Sequence, residues 1–226
     1  MKPRKKFKLI LLRHGNTFEA NETPYQVGSR TDLPLTEKGL SQARLFAEHL
    51  KSSGNTPFAI YSGALKRQTV SAKILHDCFP DALLLTHRAA LDEIDYGEWE
   101  KQTTQAICEQ WGEEYAAWVK KGTWPSDVFK NSKEYHVNLL QNWLKSLENS
   151  VPDNSHIIAV SSNGIMRFIL KCIPLLWDTV SKEGKMEEYK VRTGGYCELV
   201  YENGNWMIES WNETPPIPAQ SAFIGG

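Results

Sequence analysis

The sequence predicts an α/β fold: a doubly wound, mostly parallel sheet flanked by helices, with a helical insert and a C-terminal β-hairpin. Three observations predict it. Short apolar runs, FKLILL (Phe7 to Leu12), FAIYS (Phe58 to Ser62) and HIIAVSS (His156 to Ser162), alternate with segments of helical period. Between them, residues 101–149 read as helical except around Pro125. Near the end, Asn203-Gly204 separates two alternating apolar runs, which is a strong hairpin signal.

Taken in order, FKLILL is a buried strand that delivers Arg13-His14-Gly15 at its carboxyl end, where open α/β sheets bind ligands. A polar loop runs from Asn16 to about Pro34. Thr36-Glu37-Lys38-Gly39 then opens a helix, with Leu40, Ala43, Ala47 and Leu50 at helical spacing and Gly54 as its stop. FAIYS is the second strand, a helix follows from Leu65 to Cys78, and ALLLT (Ala82 to Thr86) is the third strand. The acidic stretch LDEIDYGEWE (Leu91 to Glu100) comes next. Residues 101–149 form an excursion from the core, with Trp118, Leu139, Leu140, Trp143, Leu144 and Leu147 as packing residues. HIIAVSS is a strand, and Asn163 to Ile173 is a helix halted before Pro174. YCELVY and WMIESW form the hairpin, and residues 214–226, with three prolines, are a loosely held tail. The expectation is one domain, with a core at about 7–100 and 150–212.

The formal net charge of −1 over 226 residues gives no reason to expect nucleic acid or an acidic membrane as partner. The N-terminal cluster MKPRKK reads as a solvated tail. No apolar run reaches about 18 residues, so no transmembrane helix is expected. Cys78, Cys108, Cys172 and Cys197 are scattered without metal-type spacing, which suits reduced thiols in a cytoplasmic protein. Neither a metal nor a cofactor is called for.

Several segments end at what should be one edge of the sheet, presenting Arg13, His14, Arg67, Glu93 and the turn Ser162-Asn163-Gly164. Imidazole accepts a phosphoryl group when one nitrogen is free and the other is hydrogen-bonded. Guanidinium groups grip phosphate oxygens bidentately. Gly15 would let backbone N–H groups approach the same oxygens. His49, His76, His87 and His136 fall in helical or loop contexts and should be solvated. His156 starts its strand roughly 20 Å before the working end.

In this order the motifs resemble the histidine phosphatase superfamily, the phosphoglycerate mutase-like proteins. LLRHGNT (Leu11 to Thr17) resembles the family signature, and TDLPLTEKG (Thr31 to Gly39) its D-x-P-L-T-x-x-G segment. SGALKRQTVSA (Ser62 to Ala72) resembles S-x-x-x-x-R with Arg67 at the arginine, and LDEIDYGEWE resembles L-x-E-x-x-x-G-x-W-E with Glu93 at the acid. The resemblance implies that His14 attacks phosphorus, that Arg13 and Arg67 clamp the phosphoryl oxygens, and that Glu93 protonates the leaving oxygen and then activates water. Asn16 and Thr17 would add neutral hydrogen bonds. The implied partner is a small phosphorylated substrate.

One motif departs. Where the family carries V-S-H-G-G-x-x-R, this chain reads Val160-Ser161-Ser162-Asn163-Gly164-Ile165-Met166-Arg167. Counting back from Arg167 puts Ser162 at the second histidine, and an offset of one puts Asn163 there. Loss of such a preorganised donor costs about 3–4 kcal/mol, or roughly 10²–10³ in rate, part of which a hydroxyl or an amide recovers. The acids Asp92, Glu93, Asp95, Glu98 and Glu100 suggest an anionic rim that disfavours multiply charged substrates. On that ground a phosphomonoester phosphatase is expected before a mutase, with a phosphate-binding protein of impaired turnover as a further alternative.

Overall fold

A computed structural model describes residues 5–173 and 175–217. The first strand, β1 (Lys6–Arg13), leads through a long loop to α1 (Glu37–Ser52). β2 (Pro57–Ser62), α2 (Lys66–Cys78) and β3 (Leu83–Leu85) follow, then α3 (Thr104–Lys121) and α4 (Lys133–Ser150). β4 (His156–Ser161) precedes α5 (Asn163–Phe168), a 3-10 turn (Ile169–Cys172) and α6 (Leu176–Glu183). β5 (Tyr196–Glu202) and β6 (Asn205–Glu213) complete the order. Most of the MKPRKK cluster, Pro174 and most of the proline-bearing tail lie outside the described residues.

The six strands make one sheet in the order β3-β2-β4-β1-β5-β6. β3, β2, β4 and β1 pair in parallel, while β5 and β6 join antiparallel. Both faces are covered, which is why the central strands read as continuous apolar runs. Ile10, Leu12, Ile158 and Val160 pack with Phe46, Ala47 and Leu50 of α1 and Leu75 of α2. Leu9, Leu11, Ile157 and Ala159 point the other way, into a cluster with Trp118 of α3 and Leu140, Trp143 and Leu144 of α4. The segment expected as an excursion is therefore the layer over one face. Physically this follows from the connection it makes: β3 and β4 are strands of one parallel array, and such strands need a crossover that packs back onto the sheet.

Local chemistry sets the element ends. Thr36, Thr103 and Ser132 cap α1, α3 and α4 by accepting from the N–H groups of Gly39, Ala106 and Tyr135. Asn203 and Gly204 both have positive φ, 52° and 94°, as a two-residue hairpin turn demands. The predicted helix from Asn163 to Ile173 is shorter than expected: α5 ends at Phe168 and tightens into the 3-10 turn. α6 was not anticipated, since only Trp177 and Val180 of its eight residues are buried and no period shows at that length.

His136 departs from expectation. It is 6% exposed on the inner side of α4, beside the Trp124 ring at 5.5 Å. Gly15 also has a different use. A Cβ there would overlap the backbone of Gly39, and a Cβ on Gly39 would overlap Asn16 O. The two glycines let the loop after β1 cross the start of α1 backbone to backbone.

Candidate active site

β1 and β4 are parallel neighbours in a register that sets Arg13 beside Ser161. β1 is followed by α1 on one face of the sheet, whereas β4 is followed by α5, whose Ile165 and Phe168 pack on the other. The chain thus diverges between the two carboxyl ends, a topological switch point that leaves a crevice. The His14 N–H donates to Ser161 O at 3.1 Å, so the two strand ends are tied together just below that crevice. His156 sits opposite Lys8 at the far end of the same pairing.

The crevice opens into a cavity of about 600 Å³. Arg13, His14, Asn16, Thr17, Arg67, Glu93 and Asn163 all line it. Part of its wall is the loop after β1, held in place by the Tyr25–Thr103 bridge to the start of α3.

His14 is 5% exposed, and its Nδ1 lies 2.8 Å from Gly15 O. That bond places the proton on Nδ1 and leaves Nε2 with a free lone pair. Burial, followed by the charges of Arg67 and Arg13, holds the imidazole well below its ordinary pKa of 6.5. The ring is therefore neutral at pH 7.

The guanidinium groups are anchored by backbone carbonyls. Arg13 Nη1 donates to Val191 O at 2.6 Å, and Arg67 donates to Thr31 O at 2.8 Å and Gly28 O at 3.1 Å. In both, the buried Nε has no partner among the described residues. Lys66, the rival cation, is exposed and its backbone N–H donates to Asp32.

Glu93 accepts from Ile94 N–H at 2.9 Å and from Gly164 N–H at 3.1 Å. Burial raises its pKa above 4.5, although those two bonds and the two arginines pull the other way. A carboxyl held toward its protonated form beside a neutral imidazole is an acid–base pair pushed apart by environment.

Two amides line the cavity with their carbonyl oxygens already engaged. Asn16 Oδ1 accepts from Thr193 Oγ1 at 2.5 Å, and Asn163 Oδ1 accepts from Val191 N–H at 2.9 Å. Each carbonyl is occupied, and neither Nδ2 has a protein partner among the described residues.

Ser162 does not join them. It is 1% exposed, does not line the cavity, and its Oγ accepts from Gln68 Nε2 at 3.0 Å. Gln68 Nε2 also donates to Leu91 O, so the serine hydroxyl is held in a buried network behind the site. Of the two positions open for the absent histidine, only Asn163 reaches the cavity.

The acidic stretch does not form the rim either. Asp92 accepts from Ala64 N–H, Asp95 pairs with Arg30 at 2.9 Å, and Glu100 accepts from Thr31 Oγ1 at 2.6 Å. These acids hold loops together, and of that group only Glu93 lines the cavity. Glu19, Glu22 and Glu187 reach it from other segments, together with Lys190.

Sequence reasoning missed several lining residues, Arg167, Tyr96, Trp118 and Thr193 among them. Tyr96 faces Glu93, and its phenol is held well above 10 by burial and that carboxyl. In the sequence Arg167 marks only the end of the departing motif, and Trp118 reads only as packing. Their helical positions gave a signal for burial but none for which cavity they face. Among the described residues no group of three or more His, Cys, Asp or Glu side chains is placed to hold a metal ion, and no helix is long and apolar enough to cross a membrane.

The model of the histidine phosphatase superfamily (branch 1) matches residues 9–214. A 2,3-bisphosphoglycerate-dependent phosphoglycerate mutase of Bifidobacterium longum is 28% identical over 134 residues, 58% of this chain and 54% of the mutase. The chain thus spans about half the length of such mutases. An adenosylcobalamin/alpha-ribazole phosphatase of Salmonella typhimurium is 26% identical over 168 residues, 72% of this chain and 77% of that enzyme. Among solved structures, the native mycobacterial glucosyl-3-phosphoglycerate phosphatase superposes with a TM-score of 0.76 at 20% identity, covering 93% of this chain and 100% of the other.

Proposed function

The chain belongs to the histidine phosphatase superfamily, and from that premise we propose that it is a phosphatase, hydrolysing a small phosphomonoester through a phosphohistidine on His14. The observation that carries this reading is the state of His14. It is a buried neutral imidazole whose Nδ1–H is fixed on Gly15 O, with Nε2 free and two guanidinium groups beside it.

In the first half-reaction Nε2 attacks phosphorus and the bond to the ester oxygen breaks. Glu93, protonated, gives its proton to the departing oxygen. In the second half Glu93, now a carboxylate, takes a proton from water. That water attacks phosphorus, the P–N bond breaks, and inorganic phosphate leaves with His14 neutral again. Arg13 and Arg67 neutralise the phosphoryl oxygens throughout, so most of the acceleration is electrostatic positioning. The NH₂ groups of Asn163 and Asn16 supply further donors, with Asn163 in the place of the absent second histidine.

The acids of residues 91–100 do not carry the argument against a mutase, although Glu19, Glu22 and Glu187, against Lys190, still put exposed carboxylates at the cavity. What supports phosphatase is the phosphatase of Salmonella typhimurium, matched over 72% of this chain, whereas the mutase of Bifidobacterium longum is matched over 58%. Rapid quench of the enzyme with a ³²P-labelled phosphomonoester tests both points. The expected result is an acid-labile, base-stable protein label that is absent from His14→Ala, with inorganic phosphate as product. A label that persists in His14→Ala, or phosphate moved to another position of the same molecule, would sink the reading.

A further inference from the structure

Three hydrogen bonds around Asn16 close a ring. Asn16 N–H donates to Gln42 Oε1 at 2.8 Å, and Gln42 Nε2 donates to Thr193 O at 2.9 Å. Thr193 Oγ1 donates to Asn16 Oδ1 at 2.5 Å. Gln42, on α1, thus bridges two backbones with the two ends of one amide, while the side chains of Asn16 and Thr193 bond each other directly. The ring joins segments far apart in the chain. Asn16 follows β1, and Thr193 lies just before β5, the antiparallel neighbour of β1. Gly194 seals the junction. Its N–H donates to His14 O at 3.1 Å, and its φ of 71° favours glycine. A Cβ there would stand 2.8 Å from Gln42 Cβ, so the same glycine lets Gln42 approach. The Thr193 hydroxyl is therefore presented from a point fixed relative to the nucleophile.

Asn16 and Thr193 line the cavity, whereas Gln42 does not. An asparagine amide has two ends of similar shape and opposite polarity. Turned one way, it offers NH₂ to phosphoryl oxygens. Turned the other, it sets a carbonyl oxygen against them. Nothing within the residue chooses between the two, so the choice falls to its partners. Here the Thr193 hydroxyl occupies Oδ1, and the NH₂ group is the end left uncommitted among the described residues. Gln42 has both ends of its own amide engaged, and so holds Asn16 and Thr193 at the separation which that bond needs.

We propose that Gln42 and Thr193 are positioning residues that fix the Asn16 amide with its NH₂ group toward the transferring phosphoryl group. This rests on the reading of the cavity as a phosphomonoester site. Both residues act through Asn16, so their effect on a bound phosphoryl group exists only while that amide is present.

The test measures binding of orthovanadate, a mimic of the transferring phosphoryl group, by calorimetry and needs no turnover. Asn16→Ala and Thr193→Val should each weaken binding about 10-fold, as fits the loss of a hydrogen bond to a charged group. Gln42→Met should weaken it about 3- to 10-fold. Added to Asn16→Ala, neither Thr193→Val nor Gln42→Met should change binding by more than about twofold. Thr193→Ser keeps the hydroxyl and should stay within about twofold of wild type. Residues needed only for folding would cost the same factor with the Asn16 amide present or absent. Such additivity would overturn the proposal, as would wild-type affinity in Thr193→Val. If the variants do not fold, NMR of wild type decides: the Asn16 side-chain NH₂ signals should shift when orthovanadate binds, and signals that stay in place would overturn the proposal. Failure of wild type to bind orthovanadate would instead count against the phosphate site itself.

Discussion

At the scale of single residues, the roles divide by what each side chain has already spent on the protein. His14 has used one nitrogen and Glu93 has accepted two backbone N–H bonds, and each keeps the protonation state its task needs. Turnover requires neutral His14, so the acid limb of kcat/KM should fall below the ordinary histidine range. It also requires protonated Glu93, so the alkaline limb follows a carboxyl pKa raised above 4.5. Glu93→Gln should lose about 10²–10⁴ on alkyl phosphates, far less on nitrophenyl phosphate, and should erase the alkaline limb. An alkaline limb that survives in Glu93→Gln would assign the acid elsewhere. Asn163→Ala should lower kcat by about 10²-fold, since it removes a preorganised donor. Ser162→Ala should leave kcat within a few-fold, because its hydroxyl serves Gln68 behind the site; a loss as large as that of Asn163→Ala would contradict this division.

Elements position these groups through close backbone approaches, and this is where the sequence was only partly legible. Arg13, His14 and Arg67 could be read because each closes a strand or opens a helix in a known order, and Glu93, in the loop after a 3-10 turn, because the register of its motif selects it. Gly15 was read as a phosphate contact, yet its hydrogen is needed where the loop crosses α1 at Gly39, a pairing separated widely in sequence. Ser162 and Asn163 could not be separated by counting, since one residue of offset at a strand–helix junction decides which side chain meets the cavity. The acids of residues 91–100 looked like a rim because their partners, Ala64, Arg30 and Thr31, come from other segments. Gly164 shows the same dependence. A Cβ there would overlap the Tyr96 hydroxyl and Glu93 Oε1, so α5 fixes the acid by approaching it without a side chain. Gly164→Ala should cost about 1–3 kcal/mol of stability by overpacking and should reduce kcat by displacing Glu93. Urea unfolding together with steady-state rates checks this; an unchanged rate would mean that Glu93 is not held by α5.

Across the whole molecule, the layer built from residues 101–150 carries both the aromatic wall of the cavity and a titratable core residue. His136, Leu140, Trp143, Leu144 and Leu147 form one buried stripe of α4, so the spacing of the apolar residues already implied that His136 faces inward. Burial lowers its pKa from 6.5 to about 4, and Asp95 only partly opposes this. Between those values the unfolded chain holds a proton that the folded chain lacks. Stability from this group is thus fully present above pH 6.5 and is lost as pH falls through about 4. A shift of that size corresponds to about 3 kcal/mol. His14 and His156 are shifted in the same direction, so they add to the acid loss. Glu93 and Asp92 have raised pKa values and act oppositely, costing stability as pH rises past the carboxylate range. His136→Leu keeps the stripe apolar and strands no partner, since Nε2 has none among the described residues. Urea midpoints measured from pH 7 to pH 4 should fall less steeply in His136→Leu than in wild type, by up to about 3 kcal/mol at the acid end. Parallel pH profiles would show that His136 does not titrate with folding, and that the layer over this face opens to water before its core histidine must charge.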